Sequence, residues 1–133
     1  MGSVHAKYFW LVGSLLLNMA CASPQEKAYQ AAVRDYNRSQ AEVVAFTQAN
    51  VRQLITATKT FRSRVGRWPE TYQEFGNYAV ANNLPIDLTA FNDVAFAVLG
   101  DGNLQIHYDV NCSRFSTKQY QFVQTGTVNL KAQ

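Results

Sequence analysis

The chain contains little proline, glycine and cysteine, and each shortage narrows the possible folds. Its 133 residues include three prolines and seven glycines, and neither residue type occurs between positions 25 and 65. Because proline and glycine weaken or end helices, this gap permits one long helix. There are two cysteines, Cys21 and Cys112. Such a low number excludes a disulfide-rich scaffold and a zinc site built from cysteine clusters.

Signatures of catalysis are also missing. There is no phosphate loop, nucleotide fingerprint or zinc-binding spacing. His107, Asp109 and Cys112 lie close together in the sequence, but no glycine-rich oxyanion element accompanies them, and a Cys–His pair needs matched geometry as well as the right residue types. We therefore expect no enzymatic activity, and we expect solvated polar alternation and an unreactive thiol at these positions.

A metal site is suggested at one point only. Asp101-Gly102-Asn103, together with Asp93, offers oxygen ligands of the type that Ca²⁺ prefers. One short turn supplies fewer ligands than Ca²⁺ requires, and this sequence is typical of a β-hairpin turn. We expect neither a bound metal nor a cofactor.

No apolar stretch near the start is long enough to span a bilayer. Residues 8–17 are apolar, whereas a spanning helix needs about 20 such residues. Lys7 precedes this run and Ala20-Cys21-Ala22 follows it, a pattern that predicts a secretory signal peptide over residues 1–22. The chain is then expected outside the cytoplasm, in the periplasm, at a membrane or secreted.

The signal peptide has two possible cleavage sites. Cleavage after Ala22 would give an unanchored mature chain. Alternatively, residues 17–21 resemble a bacterial lipobox, with Asn18 where leucine is usual, and Cys21 would then carry a lipid anchor. A third possibility is an uncleaved anchor whose helix continues into the domain.

A single domain is predicted over residues 23–133, beginning with a helix over residues 24–65. Ser23, Pro24 and Glu26 form a helix-start signal, and Gly66 marks the end. Apolar or small residues recur at three- and four-residue steps, predicting one core-facing stripe: Val44, Thr47, Val51, Leu54, Thr58, Phe61 and Val65. A helix of about 40 residues is about 60 Å long. We therefore expect its N-terminal half, with Val33, Tyr36 and Val43, to project or to pack on another chain.

The remainder predicts an α+β fold. Residues 66–85 form a loop and a short helix that Thr71 or a neighbour caps, and residues of about 92–131 form a three- or four-stranded antiparallel meander. Strands are predicted at 93–99, 104–110 and 119–123, with a bend at Thr125-Gly126-Thr127 and a further strand at 128–130. The long helix is expected to lie across one face of the sheet.

Charge of one sign is missing from two long stretches. No acidic residue occurs between Val43 and Pro69, and no lysine or arginine occurs between Trp68 and Ser113. The basic stretch supplies our candidate contact residues: Arg52, Lys59, Arg62, Arg64, Arg67 and Trp68. Three interpretations remain open: a solvated helix face, self-association with the acidic stretch of another copy, or binding of DNA or another polyanion.

Two stretches resemble type IV pilins and type II secretion pseudopilins. Residues 24–40, with Ala-Tyr-Gln at 28–30 and Arg-Ser-Gln at 38–40, are similar to pilin helices, and Gly66-Arg67-Trp68-Pro69 resembles the Gly-x-Tyr-Pro element that follows the helix in pseudopilins. The chain lacks the Gly-Phe peptidase site of that family. The resemblance implies a pilin-like domain on a signal peptide or lipid anchor, which acts as an exported structural or adaptor protein. Its expected partners are pilus, secretion or other cell-envelope proteins.

Overall fold

The structure, a computed structural model, describes residues 23–132. The predicted signal peptide and the lipidation candidate Cys21 therefore lie outside the described residues. Within this range, three helical segments precede three strands: α1 (Pro24–Val65), α2 (Tyr72–Ala81), a 3₁₀ turn (Leu88–Ala90), β1 (Phe91–Val98), β2 (Leu104–Val110) and β3 (Gln124–Leu130). This confirms the predicted α+β class, with a long N-terminal helix and an antiparallel sheet.

Helix α1 begins and ends at the predicted signals. The Glu26 N–H donates to the Ser23 hydroxyl at 3.2 Å, so the serine satisfies one of the donors that a helix start leaves unpaired. At the other end Gly66 has a φ of +92° and its N–H donates to the Arg62 carbonyl. This left-handed conformation suits glycine and closes the helix.

The chain divides into two compact units at the Arg38–Ser39 boundary. The described part of the first unit is the start of α1, which carries an exposed Arg38–Asp35 ion pair. The second unit contains the rest of α1, α2 and the sheet, and it holds the hydrophobic core. There Leu54, Phe75 and Ile106 are fully buried in one cluster, so helix and sheet share a core as expected.

The apolar stripe of α1 is shifted from its predicted position. The buried residues of α1 are Val43, Thr47, Asn50, Leu54, Ala57, Thr58 and Phe61. The prediction was wrong for Val44 and Val65, which are 44% and 42% exposed, and wrong for Val43, which lies in the core and not on a partner-facing surface. Asn50 and Thr58 tolerate burial because each donates a side-chain hydrogen bond to the carbonyl four residues earlier.

The sheet is a meander with strand order β1-β2-β3 and both pairings antiparallel. The pairing of β1 with β2 shifts between Phe91 and Asp93, which leaves Asn92 as the extra residue of a bulge. The bulge explains why Phe91 and Val94 both face the core although three positions separate them. Val98 is on the same side of the strand as Val94 but lies exposed at the strand end.

The third strand differs from its prediction. It covers residues 124–130, whereas 119–123, predicted as a strand, belong to the loop between β2 and β3. The predicted bend at Thr125-Gly126-Thr127 is therefore wrong, because these residues pair regularly with β2. Gly126 lies opposite Tyr108, and a Cβ at this position would overlap the tyrosine ring. The glycine thus provides space for an aromatic ring and does not mark a turn.

Helix α2 is confirmed within the predicted 66–85 region. Thr71 caps it by accepting a hydrogen bond from the Glu74 N–H at 3.1 Å. Tyr72 fixes its start to the 3₁₀ turn, since the phenol O–H donates to the Leu88 carbonyl at 2.6 Å. Burial, together with the nearby charges of Asp87 and Asp93, raises the pKa of Tyr72 to about 12. The phenol therefore stays a neutral donor over the physiological pH range.

Candidate functional site

The predicted contact residues divide into a packed group and an exposed group. Trp68 is only 7% exposed and belongs to the core cluster. Its indole N–H donates to the Gly102 carbonyl at 3.0 Å, and the Arg62 guanidinium lies 4.4 Å from the ring centroid. The tryptophan therefore joins the end of α1 to the β1–β2 turn, and neither face of its ring lies open for stacking on a base.

Arg67 is held by acidic groups of its own chain. Its guanidinium donates to both carboxylate oxygens of Glu74, at 2.9 and 2.7 Å, and the Glu70 N–H donates to the same carboxylate at 3.0 Å. Such bidentate pairing is the strongest geometry available to an arginine and a carboxylate. Part of the complementarity between the basic and acidic stretches is thus used within one chain, where it connects the loop after α1 to α2.

These contacts shift the pKa values of both partners. The hydrogen bonds from Arg67 and from the Glu70 backbone lower the pKa of Glu74 to about 2 from an ordinary value of 4.5. The hydrogen bond to Glu74 raises the pKa of Arg67. Because the folded-state pKa of Glu74 lies below the unfolded value, its contribution to stability is complete above pH 4.5 and is lost as the pH falls towards 2.

We expect a Glu74→Gln variant to reveal this dependence. Between pH 5 and pH 2 the free energy of unfolding of the parent chain should fall more steeply than that of the variant, because the glutamine does not titrate. The difference should be small, since both side chains are partly exposed. Urea unfolding followed by far-UV circular dichroism at several pH values measures it. Parallel pH profiles for parent and variant would contradict the assignment.

Four predicted contact residues are exposed, Arg52, Lys59, Arg64 and Arg67, and of these Arg67 is paired with Glu74. Arg52 and Lys59 are seven positions apart, which places them within about 20° of each other around the helix. Leu54, two positions after Arg52, lies about 200° around the same helix and is fully buried. The two cations therefore lie on the face of α1 opposite the core.

The outer face of the sheet carries polar and acidic residues. Asp93 and Asp109 are Cα partners on neighbouring strands, and Thr125 is the next residue across the sheet. Together with His107 and Thr127 they line a shallow depression of about 290 Å³. We call the Asp93–Asp109–Thr125 series the acidic row. Carboxylates placed opposite each other repel, so this row favours a neighbouring cation.

The structure separates the residues of the conceivable Cys–His pair. His107 lies on the outer face, with Nε2 3.0 Å from the Gln105 side-chain oxygen and Nδ1 3.0 Å from the Thr127 hydroxyl. The Gln105 oxygen can only accept, so the contact with it requires a proton on Nε2, whereas the Thr127 hydroxyl can either donate to Nδ1 or accept from it. Cys112 is 4% exposed within the core cluster. Burial and the nearby Asp109 charge raise the pKa of its thiol, a shift that disfavours the reactive thiolate.

The residues of the conceivable Ca²⁺ site are also far apart in the fold. Asp101 lies in the β1–β2 turn, where its carboxylate accepts from the Asn103 N–H at 3.0 Å and from the Asn103 side-chain amide at 2.9 Å. Asp93 lies at the other end of the hairpin. Among residues 23–132 no group of three or more His, Cys, Asp or Glu side chains is arranged to hold a metal ion.

Sequence reasoning missed the packing of the β2–β3 loop. The Phe115 ring meets Phe46 of α1 edge-on, with centroids 5.4 Å apart, and Arg114 lies 4.6 Å from the centre of the Phe46 ring. Tyr120 approaches the Ser39 hydroxyl at 3.5 Å. Residues 119–123 of this loop were predicted as a strand because periodicity alone does not reveal which element they contact.

The first unit contributes a second exposed surface. Tyr29 is 72% exposed and Val33 is 39% exposed. Tyr29, Val33 and Tyr36 follow at steps of four and three, so they share one side of the helix. We call these three residues the N-terminal face. Apolar side chains concentrated on one exposed helix side are a common feature of interaction surfaces.

Within residues 23–132 no helix combines the length and apolar character needed to cross a bilayer. Comparison of the chain with family models, with curated proteins and with solved structures finds no match.

Proposed function

We propose that this chain is an exported structural or adaptor protein with a pilin-like domain, which contacts a pilus, secretion or other cell-envelope partner through α1. The observation that carries this proposal is the N-terminal face. Tyr29 exposes nearly three quarters of its surface on a helix whose later turns are anchored in a core. Tyrosine is enriched where protein surfaces meet, because it contributes both apolar area and a polar group.

The arrangement of elements supports the same proposal. A long helix followed by a loop and an antiparallel meander is the plan expected from the resemblance. In the Gly66-Arg67-Trp68-Pro69 stretch, Gly66 ends the helix, Arg67 binds Glu74 and Trp68 enters the core. The stretch that carries the resemblance therefore has a structural role at the junction between helix and domain.

Polyanion binding has less support. Of the six predicted contact residues, Trp68 is buried, Arg62 lies on its ring and Arg67 is paired with Glu74. Of the remaining cations, Arg52 and Lys59 share one face of α1, but Arg64 lies about 140° around the helix from Lys59. Single-strand binding sites instead combine a continuous basic groove with aromatic rings on which bases stack.

The export proposal predicts the mass of the native chain. We expect protein isolated from cells to begin at Cys21, with the mass of a diacyl or triacyl modification, or to begin at Ser23 without one. Intact mass spectrometry and N-terminal sequencing of membrane and soluble fractions measure this directly. A chain that retains residues 1–22 and stays in the cytosol would contradict export.

The contact proposal is tested by site-specific cross-linking in cells. We expect a photoreactive amino acid at position 33 of the full chain to give a discrete adduct, because Val33 lies on the N-terminal face. The matched control is position 28, since Ala28 is also exposed and lies about 140° around the helix from Val33. With the probe at position 36, the Tyr29→Ser/Val33→Ser variant should lose most of the adduct. Equal labelling at positions 28 and 33 would reject the N-terminal face as the contact.

A further inference from the structure

Strand β3 is an edge strand without the features that usually block an edge. Its seven residues, Gln124–Leu130, include no proline and no charged side chain. They pair with β2 in an unbroken register. Natural proteins protect exposed edges with lysine, proline, bulges or covering elements, because an open edge can pair with another strand. Here none of these devices occurs within the strand.

The opposite edge of the sheet is protected. Strand β1 carries the bulge at Asn92 and the charged residue Asp93. Helix α2 packs against β1, with the Phe75 and Phe96 rings 5.5 Å apart. The contrast between the two edges of one small sheet indicates that β3 is the side available for pairing.

The chemistry of the open edge specifies an extended strand as its ligand. In an antiparallel pair, half of the backbone N–H and C=O groups of the last strand point away from its neighbour. Within the described chain, no backbone–backbone hydrogen bond joins β3 to a segment other than β2. At the start of the strand, the Gln124 backbone also bonds the Cys112 thiol. A strand running alongside would satisfy these groups, and side chains on alternate positions would then determine which strand fits.

We propose that β3 pairs antiparallel with β3 of a second copy, with Val128 of each copy facing the other on the two-fold axis. On the inner face this register places Val128 opposite Val128 and Gly126 opposite Leu130. On the outer face it places Thr127 opposite Asn129. Since the strand contains no charged residue, no like charges oppose each other between positions 124 and 130.

Charge complementarity favours this register and a second copy as the occupant. It places Lys131 of the second copy opposite Thr125, at the end of the acidic row. In the dimer the acidic row consists of Asp93, Asp109, Thr125 and then Lys131 of the second copy. A cation therefore lies at the end of a row that contains two carboxylates. The two-fold axis repeats this arrangement at the other end of the joint sheet. The result is a six-stranded sheet whose new edges are the protected β1 strands.

The association should be weak and dependent on concentration. A single strand pair buries less than the roughly 1,200–2,000 Å² of a stable interface. This dimer neither requires the proposed envelope role nor uses the N-terminal face, so the two proposals can fail separately.

Sedimentation velocity of the full chain in dilute non-ionic detergent, up to about 1 mM, tests the pairing. We expect a monomer–dimer equilibrium that a Thr127→Lys/Asn129→Lys variant weakens by at least about tenfold, because lysines then oppose each other twice. The Thr127→Glu/Asn129→Lys variant, which loses the same hydroxyl and amide, should dimerise at least as well as the parent. An Ala95→Lys/Ala97→Lys control places two lysines in the same face at the β1 edge and should leave the equilibrium unchanged.

Far-UV circular dichroism of each variant checks that the fold is kept, and a cysteine pair tests the register. In a Cys21→Ser background, Val128→Cys should form a disulfide-linked dimer on mild oxidation, whereas Val98→Cys, exposed on β1, should not. A parent chain that stays monomeric at about 1 mM would overturn the proposal. So would a dimer that responds equally to both lysine pairs, since its interface would then lie elsewhere.

Discussion

Replacing Trp68 with alanine should lower the free energy of unfolding by about 3–5 kcal/mol, the usual cost of removing a large buried ring. The substitution leaves a cavity in the core cluster and removes the indole donor from the Gly102 carbonyl. It also removes the ring beneath the Arg62 guanidinium, whose Nη1 is buried without a hydrogen-bond partner. For a domain with a total stability of about 5–15 kcal/mol, this loss is a large fraction.

Urea unfolding followed by far-UV circular dichroism measures the Trp68 effect, and Trp68→Phe is the matched control. Phenylalanine keeps an aromatic ring in the cavity but cannot donate to Gly102, so its cost should be clearly smaller, about 1–3 kcal/mol. If Trp68→Ala costs less than about 1 kcal/mol, the tryptophan does not join α1 to the β1–β2 turn as described. The interpretation of Trp68 as an exposed contact residue would then be open again.

Gly126→Ala should have the second largest effect, a loss of about 1–3 kcal/mol through overpacking. A Cβ at this position would lie 3.0 Å from Cε1 of Tyr108 and closer still to the end of the ring. Alanine favours strands at least as well as glycine, so a rule based on propensity alone predicts no loss. The direction of the effect therefore reports on the contact with Tyr108.

A double-mutant cycle isolates this contact. In a Tyr108→Ala background, Gly126→Ala should be nearly neutral, because the ring that it would overlap is absent. Thr125→Ala, at the exposed neighbouring position, should change stability by less than about 0.5 kcal/mol in either background. An equal cost of Gly126→Ala with and without Tyr108 would show that the glycine is needed for backbone reasons and not for the ring.

Local sequence signals predicted the elements whose ends depend on short-range chemistry. Ser23 begins α1 and Gly66 ends it because a cap hydroxyl and a left-handed residue act within one helical turn. Thr71 begins α2 for the same reason. The β1–β2 hairpin followed from alternation on both sides of a glycine-rich turn. These signals were sufficient for the α+β class and for the approximate position of the sheet.

The candidate site could be predicted only as a set of residue types. Composition located the basic and acidic stretches, but it did not separate Arg67, which binds Glu74, from Arg52, which remains exposed. Likewise, His107 and Cys112 are close in sequence, but His107 lies on the outer face of the sheet and Cys112 is buried in the core. Whether a charged side chain is paired or exposed depends on residues from other parts of the chain, and a single sequence does not identify those residues.

The sequence by itself determined where helices start and stop, that one long helix precedes an antiparallel meander, and which stretches carry one sign of charge. Tertiary structure alone decided that Val43 and not Val44 enters the core, that residues 119–123 form a loop, and that Gly126 lies under Tyr108. The physical reason is the range of the forces involved. Caps and turns act within a few residues, whereas burial and ring packing depend on contacts between distant segments.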